Sequence, residues 1–165
     1  MKLRSAAPWA LVALALAACD PVHDDAQAAL GGEAPGVRTG PLHRPGQPCT
    51  VCHDGKLGSP PEFSVAGTIF RDQADRVPLP KATVTLTGAD GASFAAITNA
   101  AGNFYVEPGR FTPRYPMKTE VSYGGVTIKM TSLIGRAGAC AGCHVDPAGP
   151  TSPGHVFVPA DGVIP

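Results

Sequence analysis

The sequence has no excess of charge of either sign and few aromatic residues. Its 165 residues include 13 acidic and 13 basic side chains, and aromatic residues make up 6% of the chain. Because no basic face is present, nucleic acid is excluded as an expected partner. The shortage of aromatic side chains also argues against a module whose surface binds carbohydrate or protein, since such surfaces are enriched in aromatic residues.

The sequence also has no hydrophobic run long enough to cross a bilayer at its amino terminus. The apolar run over residues 6–18 is 13 residues long, whereas a spanning helix needs about 20. Lys2 and Arg4 precede this run, a pattern typical of a secretory signal peptide. We therefore predict that residues 1–18 are a signal peptide and that the protein is exported.

The residue that follows this run is Cys19, preceded by Leu16, Ala17 and Ala18. Small residues before a cysteine resemble the lipobox of bacterial lipoproteins, which implies lipidation of Cys19 and an anchor in a bacterial membrane, on its periplasmic or cell-surface side. The alternative is ordinary cleavage near Ala18, which would leave Cys19 as an unpaired thiol. The sequence does not tell which bacterial membrane would hold the lipid.

Helix-length periodic segments are few, whereas the chain contains 18 prolines and 20 glycines, a composition that favours strands and loops. Residues 19–40 show no sustained period and predict a flexible tether. Residues 63–131 alternate apolar and polar side chains, as in Ala82, Val84 and Leu86. This period of two predicts about six or seven short strands, with residues 63–70 as the first and a hairpin at Gly124 and Gly125. The predicted fold class is therefore mainly β, a small antiparallel β-sandwich.

The stretch "FSVAGTIF…PLPKATVTLTGADGASFAAITNAAGNFYVEP" carries a resemblance to known sandwiches. It looks like the carboxypeptidase-regulatory or transthyretin-like β-sandwich, in which a "GxV" strand, a "P-L-x-x-A-x-V-x-L" strand and a "T-x-x-x-G-x-F" turn recur in this order. The resemblance covers about seventy residues and implies the fold far more than any activity.

Two C-x-x-C-H pentapeptides lie in irregular segments on either side of the predicted sandwich, at residues 49–53 and 140–144. Zinc bound by Cys49, Cys52, Cys140 and Cys143 would leave the adjacent histidines unexplained. Disulfides within each pair leave them unexplained too, and thioredoxin-type redox centres would need a βαβ unit that the sequence lacks. Covalent haem uses all the residues present: two thiols three positions apart form thioethers, and the following imidazole binds iron. We expect two covalently bound c-type haems, in segments 41–62 and 132–165.

The iron ligands expected next to the thiols are His53 and His144. His43 and His155 are the predicted sixth ligands, because each lies near one motif beyond a Pro-Gly pair and the loop closure is short. These two histidines could instead be exposed loop residues.

Other candidates for the sixth position are weaker. Met130 ends an alternating strand, which favours a place in the core. Met117 lies in a loop and stays a weaker candidate, and His23 is expected to face solvent in the tether.

The whole pattern over residues 41–159 resembles uncharacterised exported multihaem cytochromes of bacteria, which implies bis-histidine haem and transfer of single electrons between redox partner proteins. We expect an even number of sandwich strands, which would bring the two motifs together, and no small-molecule substrate. The alternatives are a haem peroxidase or sensor with one open iron site, whose distal donors could be Arg44, Arg110 or Arg114, and a β-sandwich binding module.

Overall fold

A computed structural model describes residues 21–33, 35–56 and 58–159. The chain divides into two units, residues 1–31 and 32–165. In the first unit, helix α1 spans Pro21–Ala29 and carries Asp24 in its first turn, where a carboxylate favours the helix dipole. The sequence predicted a flexible tether over residues 19–40; the helix lies within that range. The predicted signal peptide and Cys19 lie outside the described residues.

The described residues of the second unit form six strands in two antiparallel sheets. The strands are β1 (Val65–Thr68), β2 (Thr83–Thr87), β3 (Ser93–Ile97), β4 (Asn103–Val106), β5 (Lys118–Tyr123) and β6 (Val126–Lys129). One sheet pairs β1 with β4, and the other has the order β3-β2-β5-β6. The predicted fold class is confirmed: the protein is mainly β and forms a small antiparallel β-sandwich, and its loops flank the sheets.

The apolar alternation of β2 places one face of the four-stranded sheet against the core. Val84 and Leu86 are fully buried, whereas the three threonines of the strand, which alternate with them, are half-buried. Phe104 of β4 and Val65 of β1 belong to the same buried cluster. The core therefore lies between the two sheets, as the period of two predicted.

Turn glycines set the hairpin between β5 and β6. Gly124 and Gly125 have φ values of 57° and 86°, which is the left-handed conformation that a two-residue hairpin turn requires. Glu120 to Tyr123 then pair in register with Val126 to Lys129. The predicted hairpin is confirmed.

Strand β1 is buried along its whole length, because both of its faces and both of its edges are covered. One edge pairs with β4. The other edge receives the carboxyl-terminal segment: Ala66 donates its N–H to the Gly138 carbonyl, and Phe70, just past the strand, donates to the Val156 carbonyl, each at 2.9 Å. The carboxyl-terminal segment thus completes the two-stranded sheet.

The segment before β1 lies on the face of this sheet that points away from the core. The Gly46 N–H donates to Thr68 Oγ1 at 2.8 Å, and this hydroxyl donates to Asn103 Oδ1 at 2.7 Å. The Asn103 amide in turn donates to the His43 carbonyl at 3.0 Å. Buried polar groups that satisfy each other in this way hold an irregular segment in one place.

Candidate functional site

The two C-x-x-C-H motifs fold into the same turn although their middle residues differ. Each begins with a three-residue 3₁₀ turn, Cys49–Val51 and Cys140–Gly142. In each, the carbonyl of the first cysteine accepts hydrogen bonds from the N–H of the second cysteine at 3.2 Å and from that of the histidine at 2.9 to 3.0 Å. Side chains at positions i and i+3 of a 3₁₀ turn lie on one side of it, so the spacing of the two thiols suits attachment to one group.

None of the four thiols forms a disulfide in the part of the chain that the structure describes. Burial raises the pKa of Cys49, and it raises the pKa of Cys140 to about 12, with a further contribution from the nearby Cys49 thiol. The thiolate is the form that binds metal and exchanges disulfides, and burial disfavours that form at Cys140. In addition, no group of three or more metal-binding side chains occurs among residues 21–33, 35–56 and 58–159.

The histidine of each motif has its Nδ1 atom fixed by a backbone carbonyl. His53 Nδ1 lies 2.8 Å from the Pro61 carbonyl oxygen, and His144 Nδ1 lies 2.9 Å from that of Gly154. A carbonyl can only accept, so Nδ1 carries the proton in both rings. This leaves Nε2 of both imidazoles as the nitrogen that could bind a metal ion, which is the arrangement that oriented metal-ligating histidines usually show.

His43 lies beside His53 in the first motif. Their ring centroids are 5.9 Å apart. Two imidazoles bonded to opposite sides of one metal ion, through bonds of about 2 Å, have centroids roughly 6 Å apart. His43 Nδ1 donates to Glu33 Oε1 at 3.0 Å, so its Nε2 is also the free nitrogen. The spacing of His43 and His53 is therefore compatible with both residues holding one metal ion.

An aromatic stack extends from His53 to the surface. The His53 ring lies 4.5 Å from the Phe63 ring, and Phe63 stacks on Tyr105 at 4.8 Å between centroids. Tyr105 is on the outer face of β4 and is 40% exposed. The stack fixes the plane of the His53 imidazole and covers one side of it.

His155 is the histidine near the second motif. It is buried, its ring lies 4.8 Å from that of Phe70, and its Nδ1 has no hydrogen-bond partner within the described ranges. Burial lowers the pKa of His155, partly opposed by the Asp146 carboxylate. A buried imidazole nitrogen without a partner is costly. His155 is thus a buried residue beside the second motif rather than an exposed loop residue, and its Nε2 could bind a metal ion.

An open cavity of about 900 Å³ lies between the inner face of the four-stranded sheet and the second motif. Val84, Val121 and Ile128 line its sheet side, and His144 and His155 both border it. Sites for cofactors of this size are concave, mostly apolar and about 300 to 1,000 Å³ in volume. The cavity fits a flat apolar group such as a porphyrin attached at Cys140 and Cys143.

The two motifs come together on β1. Gly67 of this strand lies against Cys140: a Cβ atom at position 67 would stand 2.8 Å from both the Cβ and the Sγ of Cys140. The first motif's segment lies on the opposite face, where a Cβ atom at Gly46 would stand 3.4 Å from His155 Nε2. The six strands bring the motifs together, as expected.

Several features of the site were missed by sequence reasoning. Glu33, the two carbonyl acceptors and the cavity depend on tertiary contacts that no local pattern marks. The two methionines are also placed differently from the expectation: Met117 is fully buried in the core, whereas Met130 borders the cavity.

None of the three arginines considered as distal donors borders the cavity. Arg44 bonds Glu33, Arg110 lies over the Phe94 ring at 5.3 Å, and Arg114 lies 3.7 Å from Asp90. Arg136 lines the cavity instead, and no spacing in the sequence singled it out.

Comparison of the chain with protein-family models, with curated proteins and with solved structures finds no match. The assignment of the candidate site therefore rests on the geometry of this chain alone. Within the described residues, no helix has the length and apolar character needed to cross a bilayer.

Proposed function

We propose that the protein is an exported, lipid-anchored dihaem c-type cytochrome that transfers single electrons between redox partner proteins. The observation that carries this proposal is the repeated geometry of the two motifs. Each turn aligns two thiols and a histidine whose Nδ1 is bonded to a carbonyl, which leaves Nε2 for iron.

Each residue has a defined part in holding the cofactors. Cys49 and Cys52 would anchor one haem and Cys140 and Cys143 the other, through thioether bonds to the vinyl groups. Haem iron supplies a one-electron couple between its ferric and ferrous forms, tuned by its axial ligands and surroundings. His53 and His144 would bind iron next to the thiols, with His43 and His155 as the sixth ligands.

The position of the motifs suits electron transfer between two centres. Both turns pack on β1, and the Cys49 thiol lies close enough to Cys140 to contribute to its raised pKa. Covalent attachment keeps each cofactor in place without a large core. The exposed end of the stack at Tyr105 offers a contact for a redox partner protein.

Mass measurement of the intact protein, made with the haem-attachment machinery, tests the proposal. We expect two haem increments in the wild-type protein and one in each of the double variants C49S/C52S and C140S/C143S. Cys19→Ser serves as the matched control: it should keep both increments and lose the lipid, moving the protein out of the membrane fraction. Colourless wild-type protein with no mass increment would disprove the proposal.

Binding of carbon monoxide separates an electron carrier from a haem peroxidase or sensor. A ferrous iron with two imidazole ligands has no open position, so its absorption spectrum should not change on adding carbon monoxide at neutral pH. The cavity beside the second motif is the feature that favours the alternative, because space in it that a porphyrin does not fill could admit a small molecule. Rapid carbon monoxide binding at one of the two haems would assign that haem to the alternative function.

A further inference from the structure

The carboxylate behind His43 makes the two sites chemically unequal. Glu33 Oε1 accepts from His43 Nδ1 at 3.0 Å and from Arg44 Nε at 3.1 Å, while Glu33 Oε2 is buried without a hydrogen-bond partner in the described part of the chain. At the second site, His155 Nδ1 has no hydrogen-bond partner among the described residues. One sixth-ligand histidine thus has a charged acceptor behind it, and the other has none.

A carboxylate at this position changes what the imidazole offers to iron. It fixes the tautomer with the proton on Nδ1, so that Nε2 is the ligand, and it makes the ring more electron-donating. A more electron-donating ligand and a nearby negative charge both stabilise ferric over ferrous iron, since the ferric form carries one more positive charge. Each effect lowers the reduction potential.

We propose that Glu33 is a positioning residue for His43, and that it makes the haem bound at Cys49 and Cys52 the lower-potential centre of the two. This inference rests on the proposed function. The inference adds a direction to the proposed electron transfer. Electrons that enter at the first motif pass to the haem of higher reduction potential at the second. The apolar cavity at the second motif acts in the same sense, because a low-polarity surrounding disfavours the extra charge of ferric iron.

Arg44 moderates the effect of the carboxylate. Its guanidinium shares Oε1 with His43 and also donates to Gln47 Oε1 at 2.7 Å. The guanidinium thus places a positive charge beside the negative charge of Glu33 on a half-buried loop. The two opposite charges partly cancel. Removing Arg44 should therefore strengthen the action of Glu33, and removing the charge of Glu33 should abolish it.

Spectroelectrochemical titration of the full haem-loaded protein provides the test. In Glu33→Gln we expect one of the two midpoint potentials to rise, with the low-spin spectrum of a six-coordinate iron retained. In Arg44→Asn the same midpoint should fall; asparagine suits the left-handed backbone at this position, where φ is 49°. Opposite shifts of one centre cannot arise from general loss of structure. The shifts should persist in a C140S/C143S background, which retains only the first haem.

The matched control is Glu107→Gln, which makes the same chemical change on an exposed residue at the end of β4. It should leave both midpoints within error of the wild-type values. Two low-spin haems whose midpoints do not move in Glu33→Gln, or move together by equal amounts, would overturn the role of Glu33 and leave the proposed function standing. Wild-type protein without haem would overturn both.

Discussion

Substitution of Gly67 by alanine tests the contact that joins the second motif to the sandwich. A Cβ atom at this position would stand 2.8 Å from Cβ and Sγ of Cys140 and 3.0 Å from Cε1 of Phe104. Such separations are below normal van der Waals contact, and Phe104 is fixed in the core with 2% exposure. The Cys140 turn must therefore move away from β1.

The expected cost follows from the crowding. Overpacking a buried site by one methyl group lowers the free energy of unfolding by about 1–3 kcal/mol. With a urea dependence of about 2 kcal/mol/M, the unfolding midpoint should fall by roughly 0.5–1.5 M. Gly109→Ala is the matched control, because no heavy atom lies within 4 Å of a Cβ atom there. This control should change the stability by no more than about 0.5 kcal/mol.

A double-mutant cycle identifies the partner in the clash. Cys140→Ala removes Sγ and leaves Cβ, so it takes away one of the two contacts. The cost of Gly67→Ala should therefore be smaller in the Cys140→Ala background, with a coupling energy of about 0.5 kcal/mol or more. The packing of Cys140 on β1 is refuted if Gly67→Ala is as stable as Gly109→Ala, or if the cycle shows no coupling.

Two further predictions concern the polar contacts that hold the motif segments. Asn103→Ala removes the amide that donates to the His43 carbonyl and the acceptor of the Thr68 hydroxyl. The free energy of unfolding should fall by about 1–3 kcal/mol, and limited proteolysis should cut residues 41–62 faster. An unchanged cleavage rate would contradict the contact. Ser152→Ala removes the hydroxyl that lies 2.9 Å from the Cys143 carbonyl oxygen and 2.8 Å from the Val145 N–H. We expect a change only in the spectrum of the haem proposed at Cys140 and Cys143. Equal changes at both proposed haems would contradict this role of Ser152. Ser122→Ala, on an exposed strand pair, is the control for both.

The sandwich could be predicted from the sequence because its signals are local. The alternation of Ala82, Val84 and Leu86 and the Gly124-Gly125 turn each act within a few residues, and both are found as predicted. The C-x-x-C-H motifs are also local, so their thiols and histidines could be proposed from spacing alone, and that assignment stays a prediction. The outer limits of the first strand were too wide, since β1 spans only four residues.

The remainder of the site depends on contacts between distant residues. Glu33 meets His43 across ten positions of a segment with no period, and Pro61 and Gly154 contribute only backbone carbonyls. No side-chain pattern can mark a carbonyl acceptor. The helix α1 was missed for a different reason: the Ala-rich composition that suggested a tether also has high intrinsic helix propensity.

The segment that carries the second motif also contributes contacts to the sandwich, so the fold extends beyond residue 131. Residues after 131 supply Val158 to the core and fill the free edge of β1 with three backbone hydrogen bonds, at Ala66, Phe70 and Val158. Burial of the valine contributes about 1.5–3 kcal/mol, and each hydrogen bond about 0.5–1.5 kcal/mol. Their sum is a large part of the 5–15 kcal/mol that typically holds a domain together.

Residues 63–131 alone should therefore not form a stable domain, although the sequence marks them as one. A fragment of these residues is expected to show no cooperative thermal transition by circular dichroism, whereas a chain ending at residue 159 should unfold cooperatively. A short fragment that melts in one sharp step, with dispersed amide resonances, would show that β1 needs no partner on its free edge. The expected result would mean that the second motif is structural as well as functional, because the same segment that holds Cys140 and His155 closes the sandwich.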